Sequence, residues 1–188
     1  MPSAPRSRVR PGRPGSQGEA RPLPRPWLAG LAAVGLLDSA WLTILHYSGP
    51  GAAFCPGGSG CAQVAASPYS TLLGLPVALL GVAGYGLILL LTLWPRPSPR
   101  QRLALHLTAV AGFTFTLYLL YLQQFVIRAF CPYCLLSAVA MTAILGLVVA
   151  SGAGWGALGA GRLAGLSLLL AGAVVLGAAL APPPRGAP

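Results

Sequence analysis

The sequence predicts an all-α integral membrane protein, and three observations predict that class. Only 7% of the 188 residues are charged, against roughly 25% in a soluble domain. Several apolar runs reach the roughly 20 residues that a bilayer-spanning helix needs. The basic charge comes entirely from arginine, with no lysine in the chain. Those arginines sit in tails and loops beside the apolar runs, where orientation signals are placed. Nucleic-acid recognition would need a basic face on a folded domain instead. Lysine and asparagine are both missing while alanine, glycine and arginine abound, a bias that points to a GC-rich, bacterial genome.

Residues 1–26 are rich in Pro, Arg, Gly and Ser and lack apolar periodicity. They are expected to form a disordered cytoplasmic tail. A membrane domain is expected over 27–181, followed by a Pro-rich tail over 182–188. Its first span runs from about Trp27 to Tyr47, longer than the 7–15-residue apolar core of a signal peptide. A polar, Gly-rich loop follows from Ser48 to Ser70, with a short helix expected over Ala62–Ala66. The second span covers about Thr71–Trp94 and stops at Pro95, Pro97 and Pro99. The third is about Leu103–Ile127. Arg128–Phe130 form a short turn, and the fourth span opens at Cys131 and ends near Ala150. A fifth is expected over about Leu163–Leu180.

Arginine counting orients these spans. With the N-terminus cytoplasmic, that side receives Arg6, Arg8, Arg10, Arg13, Arg21, Arg25, Arg96, Arg100, Arg102 and Arg162. The outer side receives only Arg128 and Arg185. This satisfies the positive-inside rule, and the opposite orientation inverts it.

The same topology puts all four cysteines on the outer side, although two spans separate the pairs. Cys55 and Cys61 are spaced C-x5-C in the first loop. Cys131 and Cys134 form Cys-Pro-Tyr-Cys at the start of the fourth span. A helix N-terminus offers partial positive charge and free N–H groups, which stabilise the thiolate that performs disulfide exchange. Pro132 suits the first helical turn because it has no N–H to leave unpaired. Two inert stapling disulfides, or a four-cysteine zinc site, are the competing readings. C-x5-C is loose for zinc, and the outer compartment is oxidising. Paired broken helices of the transporter kind are not evident.

The order of motifs is specific: a C-x5-C loop, Ser67-Pro68-Tyr69, Leu75-Pro76-Val77, then Phe130-Cys131-Pro132-Tyr133-Cys134-Leu135-Leu136-Ser137-Ala138. Over about residues 30–150 it resembles the bacterial branch of the vitamin K epoxide reductase family. The quinone-reducing DsbB family carries its C-x-x-C in the first outer loop, the reverse of the order here. The resemblance implies a four-helix bundle around a quinone site, with a fifth transmembrane helix beside it. It implies that Cys55 meets the dithiol of a secreted partner and that Cys61 relays the exchange to Cys131. Cys134 would face the quinone, ubiquinone or menaquinone, as electron acceptor, with no metal. Ser67 matches the family's loop serine near the quinone, although a local turn role before Pro68 is also open. Phe115, on the third span, is a candidate quinone contact. The implied protein is an inner-membrane enzyme that oxidises a separate DsbA-like thioredoxin-fold partner, since no fused thioredoxin domain follows the fifth span. Vertebrate members carry a tyrosine four residues after the second C-x-x-C cysteine and an asparagine that holds the quinone. Here the first position is Ala138 and asparagine is absent, so plain quinone reduction is favoured over vitamin K epoxide reduction.

Lesser signals complete the reading. Asp38, mid-span, should face the bundle interior, as a hydrogen-bonded structural acid or a proton carrier. His46 lies near the outer end of the first span and is expected to be solvated. His106 lies near the cytoplasmic end of the third and should be remote from the chemistry. Phe115, Tyr118, Leu119 and Leu122 form a helical stripe. Trp27, Tyr47 and Trp94 look interfacial. Gly81 and Ala83–Gly86 should permit close helix packing.

Overall fold

A computed structural model describes residues 23–48, 60–72, 74–95, 98–152 and 159–180. Most of the expected N-terminal tail, the C-terminal tail and Cys55 lie outside the described residues. The chain runs through helix α1 (Arg25–Ser48), a short helix α2 (Gly60–Ala65), a single 3-10 turn (Pro68–Ser70) and a two-stranded hairpin, β1 (Thr71–Leu72) with β2 (Leu75–Pro76). Helices α3 (Val77–Leu93), α4 (Pro99–Tyr121), α5 (Pro132–Ala150) and α6 (Ala160–Leu180) follow. A π-helical turn, Leu122–Ile127, extends α4.

Helices α1, α3, α4 and α5 form the bundle, and each contributes to one core. Leu28 and Ala32 meet Tyr85 and Ile88, Leu105 and Ala109, and Met141, Ile144 and Val148. Helix α6 packs beside α4, where His106 Nε2 lies 3.1 Å from Ser167 Oγ. The outward faces carry exposed Leu37, Ile44, Leu87, Leu90, Val139, Leu168 and Leu169. So much exposed apolar surface suits lipid rather than water as solvent. Three helical stretches, Arg25–Ser48, Pro99–Ile127 and Pro132–Ala150, are long and apolar enough to cross a membrane, while α3 is shorter at 17 residues.

Two span boundaries differ most from expectation. The second helix begins at Val77 rather than Thr71, because Pro76 lacks an N–H and holds the preceding Leu75 extended. Gly74, at φ +82°, then lets Thr71–Pro76 fold back as a hairpin in which Thr71 pairs with Pro76. The third helix begins at Pro99 rather than Leu103. Ser98 caps it by accepting from the Gln101 N–H at 3.2 Å, with Pro99 in the first turn.

Close helix approach also falls elsewhere. A Cβ on Gly81 would lie 2.6 Å from Ser39 Oγ, so that glycine does let α1 and α3 approach. Gly84 and Gly86 meet nothing. The tightest contact in the bundle is at Gly35, where a Cβ would lie 2.3 Å from the Tyr85 ring.

One end of the bundle gathers the start of α1, the end of α3 and the start of α4. Arg25 Nε donates to the Thr92 carbonyl at 3.0 Å, and the same guanidinium donates to the Trp94 carbonyl. Gln101 Nε2 donates to the Leu91 carbonyl at 2.6 Å. Arg100, Arg102 and Arg162 belong to that end by helix direction, whereas Cys61 and Cys131 lie at the other.

Candidate functional site

The second cysteine pair is built by a helix start. Cys131 is the N-cap of α5, in extended backbone at φ −114° and ψ 108°, and its sulfur accepts from the Cys134 N–H at 3.4 Å. The expected span therefore begins one residue later, at Pro132, with Cys131 outside it. Cys134 Sγ donates to Cys131 Sγ at 2.9 Å, and both are free thiols. That hydrogen bond pulls the Cys131 thiol below the usual range; burial opposes it, and the Cys134 and Tyr133 N–H groups assist it. Thiolate fraction, and with it alkylation rate, rises as pH climbs through the lowered value. Alkylation of Cys131 by iodoacetamide, followed by peptide mass spectrometry, should thus level off at lower pH than for free cysteine. In Cys134→Ala the profile should move to higher pH, because the strongest cause is gone. Superimposable profiles would contradict this assignment.

The segment leading to Cys131 is set by the π turn. Arg128 closes it in the left-handed region at φ 55°, and its N–H donates to the Gln123 carbonyl. The Ala129 N–H donates to the same carbonyl at 3.2 Å. Helix α2 sits directly on this segment. A Cβ on Gly60 would lie 2.0 Å from the Phe130 carbonyl oxygen, so only glycine lets the helix approach so closely. The next residue, Cys61, is buried and disulfide-bonded.

Beneath α2 lies a cavity of about 210 Å³ between α1, α3, α4 and α5. Cys61, Cys131 and Cys134 all open onto it, as do Ser67 and Phe115. Three of the four predicted cysteines and both predicted quinone contacts are thus brought to one cavity. Its wall is mainly apolar, with Leu42, Val77, Leu80, Leu119 and Ile127. The volume is below the roughly 300–1,000 Å³ of drug-sized ligand sites. Ser67 also serves its own loop, donating its hydroxyl to the Val64 carbonyl at 2.8 Å. Phe115 stacks on Tyr118 at 6.4 Å between ring centroids. Of the predicted stripe, Phe115, Leu119 and Leu122 line the cavity.

Other predicted residues fall differently. His46, expected to be solvated, is half-buried and lines the cavity. His106 does not. Asp38 is 7% exposed and does face inward, but both carboxylate oxygens lack a hydrogen-bond partner among the described residues. The expectation of a hydrogen-bonded structural acid is therefore not met. It lies next to Ser39 and one turn from Leu42, both on the cavity wall.

Two residues escaped the sequence reading. The Tyr85 hydroxyl donates to the Ser137 carbonyl at 2.8 Å and lies 2.9 Å from Ser137 Oγ, tying α3 to α5 one turn below Cys134. A lone tyrosine inside the apolar run of α3 was the available signal, because a buried phenol needs a partner. Gln123, buried on the cavity wall, is the other. Among the described residues, no three or more His, Cys, Asp or Glu side chains group to hold a metal ion. The sequence model of the vitamin K epoxide reductase family matches residues 26–149.

Proposed function

Because the chain belongs to the vitamin K epoxide reductase family, a family of membrane oxidoreductases, we propose that it oxidises the dithiol of a secreted protein and passes the electrons to a membrane quinone. The observation that carries this reading is the opening of Cys61, Cys131 and Cys134 onto one apolar cavity. A water-soluble partner can reach a polar loop but not a thiol among bundle helices, whereas a quinone reaches that cavity through lipid.

The exchange runs in four balanced steps. A partner thiolate attacks the Cys55–Cys61 disulfide; the partner leaves as a disulfide and Cys55 and Cys61 become thiols. The Cys61 thiolate then attacks Cys131 of an oxidised Cys131–Cys134 pair, and Cys134 leaves as a thiolate. Cys55 attacks the resulting Cys61–Cys131 bond, restoring its own disulfide and leaving Cys131 reduced. Finally Cys131 and Cys134 join as a disulfide, and their two electrons and two protons convert the quinone to quinol. Free thiols at Cys131 and Cys134 beside a disulfide-bonded Cys61 correspond to the moment before that last step.

In this reading the partner is a separate DsbA-like thioredoxin-fold protein, and the acceptor is ubiquinone or menaquinone. The enzyme sits in a bacterial inner membrane with its N-terminus cytoplasmic and its cysteines outside. Support comes from Arg25, Arg100, Arg102 and Arg162, which share the end opposite Cys131. The test is quinone consumption by purified protein in detergent with reduced DsbA-like protein. One quinone lost per partner disulfide formed is expected; no loss above buffer from folded protein would reject the reading.

A further inference from the structure

The mainly apolar cavity wall carries a carboxamide, that of Gln123. Gln123 is 6% exposed and lines the cavity, the one amide side chain among the described lining residues. Its neighbour Gln124 is exposed. In ligand sites a small number of polar groups placed in an apolar wall fix the ligand's orientation, and Gln123 is so placed.

The backbone supplies a second, independent observation. Gln123 lies in the π-helical turn, and such turns are frequent at functional sites. Here the widened turn has a specific consequence. The Gln123 carbonyl takes the N–H groups of Arg128 and Ala129, two residues short of Cys131. One residue therefore holds the backbone that delivers Cys131 while its side chain faces the space in front of the pair. Tyr85 and Ser137, also on the wall, bond to each other. The Ser67 hydroxyl proton is held by Val64.

An amide N–H donates, and a quinone presents carbonyl oxygens. We propose that the Gln123 side-chain amide donates a hydrogen bond to one carbonyl oxygen of the bound quinone and so sets the ring's orientation toward Cys131 and Cys134. The proposal rests on the quinone-reducing reading above. The amide positions the acceptor; the electron pair still comes from the two cysteines, and each proton from their thiols.

The test uses the full-length protein in detergent, dithiothreitol as reductant and a short-chain ubiquinone as probe. Gln123→Leu removes donor and acceptor, and Gln123→Glu keeps length but removes the amide donors. Both should raise the quinone KM about tenfold, the scale of one hydrogen bond, with kcat within about twofold. Gln124→Leu should match wild type, and the alkylation rate of Cys131 should be unchanged in every variant, which a purely structural role for Gln123 would not allow. If Gln123→Leu alters that rate, the turn has moved and the Glu variant decides. A wild-type KM in a variant that keeps the alkylation rate overturns the proposal while leaving quinone reduction intact. Absence of turnover by the wild type itself overturns both.

Discussion

Cys134→Ala is expected to reduce quinone turnover by about a thousandfold or more, and Cys131→Ala to do the same. The final step needs both sulfurs, because a lone thiol cannot give up two electrons by closing a disulfide. Their arrangement favours that closure. The two Sγ atoms are 2.9 Å apart, with Cys131 at the N-cap and Cys134 three residues on, in the first turn of α5. Loss of quinone absorbance under excess dithiothreitol checks the expectation, with the melting midpoint as a control for folding. Turnover above about a tenth of wild type in either variant would mean that electrons reach the acceptor by another route.

Gly60→Ala is expected to lower turnover with a protein dithiol by about a hundredfold, the scale attached to a 1 Å misplacement of reacting groups. The added methyl would meet the Phe130 carbonyl at 2.0 Å. Backbone cannot rotate away as a flexible side-chain end can, so α2 must lift and carry Cys61 with it. The bundle core contains no residue of α2, so its melting should change little. Cys131, 1% exposed beneath the cap, should react faster with a bulky maleimide. Wild-type turnover together with unchanged maleimide reactivity would show that α2 does not depend on this contact.

Much of the architecture was legible because lipid leaves a strong mark on composition. The bundle helices and α6 announce themselves as apolar runs, and Pro76, Pro99 and Pro132 mark three helix starts. Hydropathy alone misplaced the start of α3, since Leu72, Leu73 and Leu75 read as span. The left-handed turn that Gly74 permits and the extended backbone that Pro76 imposes outweigh their hydrophobicity. The Cys131–Cys134 motif was legible because its spacing fits one turn of a helix start. Ser67 and Phe115 came from the family's pattern and face the same cavity.

What stayed hidden depends on contacts between elements. Tyr85 matters because Gly35, far away in sequence, leaves a slot for its ring. Gly84 and Gly86, better placed by local pattern, have no neighbour to admit. Gln123 was one of two adjacent glutamines, and only the π turn that contains them decides which is buried. Asp38 was legible as an inward-facing acid, yet its lack of a hydrogen-bond partner among the described residues could not be read from spacing.

The relay itself is tested most directly by trapping its intermediate. In a Cys55→Ser, Cys134→Ser double variant, Cys61 and Cys131 each lose the thiol that would resolve their bond. Exposure to mild oxidant followed by non-reducing peptide mass spectrometry should find a disulfide joining Cys61 to Cys131. Recovery of both as unlinked thiols from folded protein would leave the loop with no path to the cavity and contradict electron transfer between the two pairs.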